Sequence, residues 1–268
     1  MWRDKNKVKW ALGVYSCYIK TSFSSAAAYR ADFFFTAFIS LLGNLLVPLL
    51  TALIYLGGAE FPGWSFAEAL MIQSVFMLCT GVCAPFFNNM VWITMQHIRE
   101  GTYDTILIKP GPAAFITAAC AFDISNIGML AGGVTMFSYS IFNLTYTPSL
   151  INWLQFAIFG FMGICMTLGC TLIMTATTFK WVGNSRIYQI YDAITMFGRY
   201  PGTVFNKSLQ SVSSFIIPVA MMGFFPAAAI MGRADTRMML AIIPCAAFLV
   251  AGWFFFNRMI RLYQSAGG

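Results

Sequence analysis

Residues 97–110 read His97-Ile98-Arg99-Glu100-Gly101-Thr102-Tyr103-Asp104-Thr105-Ile106-Leu107-Ile108-Lys109-Pro110, a compact charged island between two long runs that carry almost no charge. This segment suits contact rather than catalysis. Glu100 and Asp104 are four residues apart and would share one face if a helix continued through Gly101, with Arg99 offering the opposite sign. Elsewhere the parts of an active site are missing. The chain has one histidine, His97, and no G-x-x-x-x-G-K-[ST] loop, H-E-x-x-H or G-x-S-x-G, so nucleotide-binding, metal-dependent and hydrolytic sites lack components. The chain reads as a non-enzyme that binds no cofactor of its own.

The elements that must carry the island are apolar. Of 268 residues, 59% are hydrophobic and 9% charged, against about 25% charged in soluble domains, so the chain cannot cover a water-facing globule. A bilayer-crossing helix needs about 20 apolar residues. Six segments qualify, near 33–56, 68–95, 114–142, 150–178, 208–230 and 239–257. The sequence thus predicts an all-α integral membrane protein of one domain, 1–268, with a leader over 1–31, six spans within 32–257 and a tail over 258–268. In the leader, Trp10, Leu12, Val14, Tyr15, Tyr18, Ile19 and Phe23 mix with Lys9, Lys20 and Arg30. That mixture predicts an amphipathic helix at the membrane interface. No A-x-A cleavage site follows an apolar core there, so the leader is expected to persist.

On this span assignment fourteen of the sixteen lysines and arginines fall on one side, Arg233 and Arg237 being the exceptions. Cations accumulate on the cytoplasmic side, so both termini are expected there. The net charge of +7 reflects that bias and not affinity for nucleic acid, which needs basic residues interleaved with aromatics on a soluble face.

Within the spans, Ser65 and Glu68 form a capping-box pattern at the start of span two. Glycines 128, 132, 133, 160, 163 and 169 allow close helix approach. Six of the seven cysteines fall in spans, where a packing role is expected. Pro218 and Pro226 predict a broken or re-entrant element at the outer end of span five. Asp123 is the acid placed clearly inside a span; a hydrogen-bonding role helped by Ser125 and Asn126, or contact with cargo, both suit it. Phe34, Phe38, Phe76, Phe215 and Phe224 in spans one, two and five, with Pro218, mark a possible apolar cargo path. An ATP-driven permease, a secondary transporter or channel, and a membrane scaffold or lipid-modifying enzyme all remain open on these residues alone.

The run Arg99-Glu100-Gly101-Thr102-Tyr103-Asp104, continued by Leu107, Lys109-Pro110 and Phe115, resembles the cytoplasmic signature of a six-span subfamily of the ABC-2 type permeases. Arg199-Tyr200-Pro201, Phe215-Ile216-Ile217-Pro218-Val219-Ala220 and Phe225-Pro226-Ala227 resemble its fifth-span region. Tyr103 stands where that family typically has leucine, and Gly111-Pro112-Ala113-Ala114 replaces a more polar connection. The resemblance implies the permease half of an ABC exporter in a bacterial cytoplasmic (inner) membrane. Two such permeases, identical or paired with a sister chain, would join two copies of a cytosolic ABC ATPase, which would bind ATP and Mg. Residues 99–104 would form the coupling helix against that ATPase, braced by the amphipathic leader. An apolar path implies hydrophobic or amphipathic cargo, because polar cargo would lose water without replacement hydrogen bonds.

Overall fold

The structure, a computed structural model, describes residues 7–181 and 185–264, without the side chains of 7, 8 and 185–188. Arg3 and Lys5 of the leader therefore lie outside the described residues. In chain order the helices are α1 (Lys7–Ala28), α2 (Arg30–Leu56), α3 (Phe66–Cys83), α4 (Met90–Arg99), α5 (Asp104–Leu107), α6 (Ala113–Cys120) and α7 (Ile127–Phe142). They continue as α8 (Leu150–Thr178), α9 (Ser185–Thr195), α10 (Lys207–Ser211), α11 (Phe224–Ile230), α12 (Thr236–Leu240) and α13 (Ile242–Met259). No strand occurs among the described residues.

Local chemistry sets the boundaries. At the start of α3 the Ser65 hydroxyl accepts from the Glu68 backbone N–H and the Glu68 carboxylate accepts from the Ser65 N–H, which completes the expected capping box. Ser149 and Asn152 do the same for α8. Pro85 lacks an N–H and sits in a π-helical turn, Ala84–Asn88, that joins α3 to α4 without ending the helix. Phe66–Arg99 is consequently one apolar element of 34 residues.

Six spans were expected, the fifth broken or re-entrant at its outer end, and the structure supports four or five. Among the described residues four helices are long and apolar enough to cross a membrane: Arg30–Leu56, Phe66–Arg99, Leu150–Thr178 and Thr236–Leu262. The pair Ala113–Cys120 and Ile124–Phe142 makes a fifth if its 63° bend is allowed within one span. Asp123 sits at that bend. Its carboxylate accepts from Ser125 N–H (2.8 Å) and from the Asn89 side chain (2.8 Å), and its own N–H donates to Pro85 O (3.0 Å). Asp123 therefore joins the bend to the π-turn of the neighbouring helix, with Asn89 where Asn126 was expected.

The core has two main parts and a small third at Leu70, Met77 and Met136. One surrounds Trp64, Phe76, Phe159, Met221 and Phe224, the other Tyr103, Ile106, Phe179 and Phe256. Helix α8 runs through both, so the molecule has a Trp64 end and an island end. Close backbone approach fills much of the space between helices. A Cβ on Gly128 would collide with Ala37 O of α2, and one on Gly252 of α13 would lie 2.6 Å from Gly169 O of α8. The glycine pattern thus serves packing within the chain. Helix α2 buries only a narrow strip at Val47, Pro48 and Thr51 and leaves large apolar side chains such as Leu46, Leu49 and Leu53 outward, a surface that a bilayer or another chain must cover.

The largest correction concerns 179–230. Residues 208–230 were read as a span and 179–207 as a cytoplasmic connection. Phe179 packs at the island end on Tyr103 and Tyr263 (ring centroids 5.2 and 6.3 Å), whereas Tyr200 packs on Phe61 (6.1 Å) and the Thr203 hydroxyl accepts from Trp64 Nε1 (2.7 Å). Phe179 and Tyr200 therefore lie at opposite ends of the molecule, with α9 in the chain between them. The stretch 207–231 is a hairpin confined to the Trp64 half. It comprises α10, a π-turn Val212–Ile216, a 3-10 turn Val219–Met222 and α11. Pro218 stops the first arm and Gly223 turns the chain.

Candidate functional site

Two places could do the work of the molecule. At the island end, α4 stops at Arg99 because Gly101 takes a left-handed φ of 67°, which β-carbon-bearing residues rarely adopt. The N–H groups of Gly101 and Thr102 then close onto Ile98 O and His97 O. This corrects the expected pairing of Glu100 and Asp104, since no helix passes through Gly101 and the two acids share no helical face. Glu100 lies at the exposed end of α4 and accepts from Gln96 Nε2 at 2.9 Å. The Thr102 hydroxyl meets His97 Nδ1 at 2.7 Å.

Tyr103 is also corrected. Expected on the contact surface, it is fully buried, its ring between Phe179 and Tyr263 and its hydroxyl 2.9 Å from the Thr117 hydroxyl of α6. Burial pushes its phenol up to about 12, so it stays neutral and acts through packing and one hydrogen bond. Tyr103 and the buried Ile106 pin the island, and the end of α5 presents Leu107 (40% exposed) and the following Ile108 (82% exposed) outward. Leu107 entered the sequence reading only as part of the family motif and Ile108 not at all, although two apolar side chains within a polar loop were the available signal.

Helix α1 packs mainly against the chain that flanks the island and reaches the island itself at Lys109. Trp10 of α1 covers Gly111 and packs on Phe115 (6.0 Å), Tyr15 packs on Phe86 and Phe122, and Lys109 Nζ donates to the Tyr18 hydroxyl at 2.8 Å. That bond raises the Lys109 pKa above its ordinary value. The aromatic side of α1 thus faces the protein, while Lys9 and Lys20 stay exposed.

The second place is the hairpin. Residues 218–230 are all buried. Asn152 at the start of α8 donates to Ala229 O (2.9 Å), and a Cβ on Gly163 of α8 would lie 2.6 Å from Met221 O. Eleven residues of α8 separate these contacts, so the hairpin tip lies about 16 Å inside the Trp64 end. Its irregular backbone is largely self-satisfied, through Ile217 N–H to Val212 O, Met221 N–H to Pro218 O and Ala227 N–H to Gly223 O, as non-helical backbone at that depth requires. Arg233 fastens its return arm. Its guanidinium meets Glu68 (2.6 Å), donates to Gly63 O (3.0 Å) and lies 4.4 Å from the centroid of Trp64.

The expected path residues separate into groups. Phe76 and Phe224 are buried beside the hairpin with Pro218, brought together around Gly198, Gly202 and Gly223. Phe215 is exposed on the π-turn. Phe34 and Phe38 lie elsewhere, in a shallow groove of about 640 Å³ between α2 and α7, and Asp123 caps the bend. Among the described residues these groups occupy separate places in the fold. Arg199, read as cytoplasmic, instead stacks 4.7 Å from the Phe76 centroid, and its Nε is buried without a hydrogen-bond partner. Phe76 is ten residues into α3, which places this guanidinium about 15 Å from the Trp64 end.

A family model described as "ABC-2 family transporter protein" matches residues 38–267. The chain belongs to this ABC-2 family. It is therefore the multi-pass permease component of an ABC transporter, distinct from the nucleotide-binding subunit, and family membership implies partnership with an ABC ATPase. No curated protein and no solved structure matched the chain. The matched range takes in both the island and the hairpin of the permease, and begins within α2, after the leader helix.

Proposed function

We propose that this permease is the transmembrane half of an ATP-driven exporter in a bacterial cytoplasmic membrane, working as a dimer of permeases with two cytosolic ATPase subunits that bind ATP and Mg. The single observation that carries the reading is the build of the island. It is held from behind by Tyr103, Ile106 and Lys109 and exposes Leu107 and Ile108 in front, flanked by Arg99, Glu100 and Asp104. Such a segment transmits a push as a rigid body because its own side chains leave it little room to yield. Its displacement passes into the 34-residue helix Phe66–Arg99, about 50 Å long, whose far end carries Glu68 and the Arg233 fastening of the hairpin.

The chain's passages agree with both termini being cytoplasmic. Helices α2, α3–α4, α6–α7, α8 and α13 would supply five passages, and we take the chain from Phe179 to Tyr200 as a sixth, which makes the number even. Lys207 then lies toward the outer end instead of the cytoplasm, and the hairpin enters and leaves from outside. Cargo is hydrophobic or amphipathic, since phenylalanine and methionine line the hairpin's surroundings. Arg199 is the fixed charge at mid-depth, where an arginine costs about 3 kcal/mol, and it would meet the anionic end of an amphipathic cargo.

The test replaces both front residues, Leu107→Asp and Ile108→Asp, and measures co-purification of the cognate ATPase. Both are exposed, so the permease should insert and keep its thermal midpoint while ATPase recovery falls at least tenfold. Unchanged recovery together with unchanged ATP-dependent transport removes the island from the coupling.

A further inference from the structure

The island end also holds a large apolar groove of about 1450 Å³, between α1, α4, α6, α8 and α13. Drug-sized pockets occupy about 300–1,000 Å³. Its walls include Trp10 and Tyr15 of α1, Phe86 of the π-turn, Phe115 of α6, Leu172 of α8 and Trp253 of α13, and no charged residue lines it. Its depth is set by the helices. Leu172 lies six residues before the end of α8, about 9 Å, and Phe254 five before the end of α13, about 7 Å. Those depths match a position just below a headgroup layer, where acyl chains begin.

The rim nearer the chain terminus is basic. Val250, Trp253 and Phe254 of α13 face the groove. Arg258 follows Phe254 at four residues, on the same helix face, and Arg261 lies in the 3-10 turn Ile260–Leu262 that continues α13 toward the island end. Both are exposed. Across the groove Lys9 precedes Trp10 and is exposed as well. A protein segment laid in the groove would bring backbone N–H and C=O groups against walls with almost nothing to bond them; an acyl chain has none.

We propose that this groove binds an anionic phospholipid, with its acyl chains against Trp10, Phe115 and Trp253 and its headgroup on Arg258, Arg261 and Lys9. The site is separate from the cargo route around Arg199, and it needs no ATPase to be tested.

The experiment reconstitutes the full chain in phosphatidylcholine vesicles doped with brominated-chain phosphatidylglycerol or, at equal mole fraction, brominated-chain phosphatidylcholine. Bromine quenches indoles it touches, and a Trp10→Phe/Trp253→Phe variant isolates the share of emission from the groove. Phosphatidylglycerol should quench that share at a much lower mole fraction than phosphatidylcholine. The preference should fall about fivefold for each of Arg258→Gln and Arg261→Gln, and Ala118→Phe, which fills the groove, should abolish quenching of that share by both lipids. Equal quenching by the two lipids overturns the proposal. So does a preference that survives the double arginine variant, or a groove that neither lipid reaches because a second copy of the chain covers it.

Discussion

Replacing Tyr103 tests whether the island works as an anchored lever or as a loose contact loop. The side chain is fully buried, with ring contacts to Phe179 and Tyr263 and a hydroxyl partner in Thr117. Tyr103→Phe keeps the ring and removes one hydrogen bond. The Thr117 hydroxyl still donates to Ala113 O at 2.8 Å, so no donor is stranded and the cost is about 1 kcal/mol. Tyr103→Ala removes the ring as well and leaves a cavity between α5 and the ends of α8 and α13, a loss of about 3–5 kcal/mol. Against a typical domain stability of about 5–15 kcal/mol the permease should remain folded with a lowered thermal midpoint. The assay pairs thermal unfolding of the purified permease with ATP hydrolysis and transport in the reconstituted complex. Tyr103→Phe should transport near normally. Tyr103→Ala should still bind the ATPase through Leu107 and Ile108, yet hydrolyse ATP with little transport, because the pushed segment now yields. Full transport by a destabilised Tyr103→Ala permease would show that anchoring is irrelevant, and an unchanged midpoint would contradict the burial itself.

In a cysteine-free background, a probe cysteine at Lys207 should react with an impermeant reagent applied outside cells, as one at Ser149 should, whereas one at Thr105 should not; labelling of 207 only after permeabilisation would restore 208–230 as a span. Arg199→Met removes a desolvated guanidinium, so the thermal midpoint should hold or rise, while ATPase stimulation by anionic amphiphiles is lost and stimulation by neutral ones is kept. Equal stimulation by both classes after the substitution would take Arg199 out of cargo contact. Glu68→Gln weakens a partly exposed ion pair but keeps the capping box's acceptor, so stability should change by no more than about 1 kcal/mol; the readout is faster deuterium exchange in α11, and unchanged exchange would mean the hairpin is held without Arg233.

Much of the architecture was legible because hydropathy and caps report local physics. The Ser65 and Glu68 box, the helix ends near 56, 142 and 178, and the internal packing of Gly128 and Gly169 follow from residue types at short spacing. Residues 179–230 were misread because hydropathy measures transfer from water and not continuity of helix. The 208–230 stretch is apolar enough to span, yet Pro218 and Gly223 fold it back on itself. Its apolarity reflects burial among α3, α8 and α9. Conversely, 185–199 carries Arg186, Asp192 and Arg199 and fails any apolarity test, although Tyr191, Ile194, Thr195 and Gly198 recur at three-, four- and seven-residue steps. That is the one-sided pattern of a helix packed on a core, and in the structure Tyr191, Ile194 and Phe197 do pack there. At the island, the spacing of Glu100 and Asp104 was sound arithmetic applied across a glycine that ends the helix. The burial of Tyr103 depends on Thr117, Phe179 and Tyr263, up to 160 residues away, and no local rule could anticipate it.

The distribution of order along the chain carries a further step. Both fastened points, Tyr103 behind the island and Arg233 over the hairpin, connect to the same helix, Phe66–Arg99. Between them lies the π-turn at Pro85, fixed sideways by Asp123 and Asn89. A helix held at both ends and locally irregular in the middle concentrates any bending there. Asp123, read from sequence as either a hydrogen-bonding residue or a cargo contact, thus sits beside the hinge of the element that joins the two sites. Its hydrogen bonds cross from the bend of α6–α7 to the π-turn, so motion of the island relative to the hairpin must pass through them or break them.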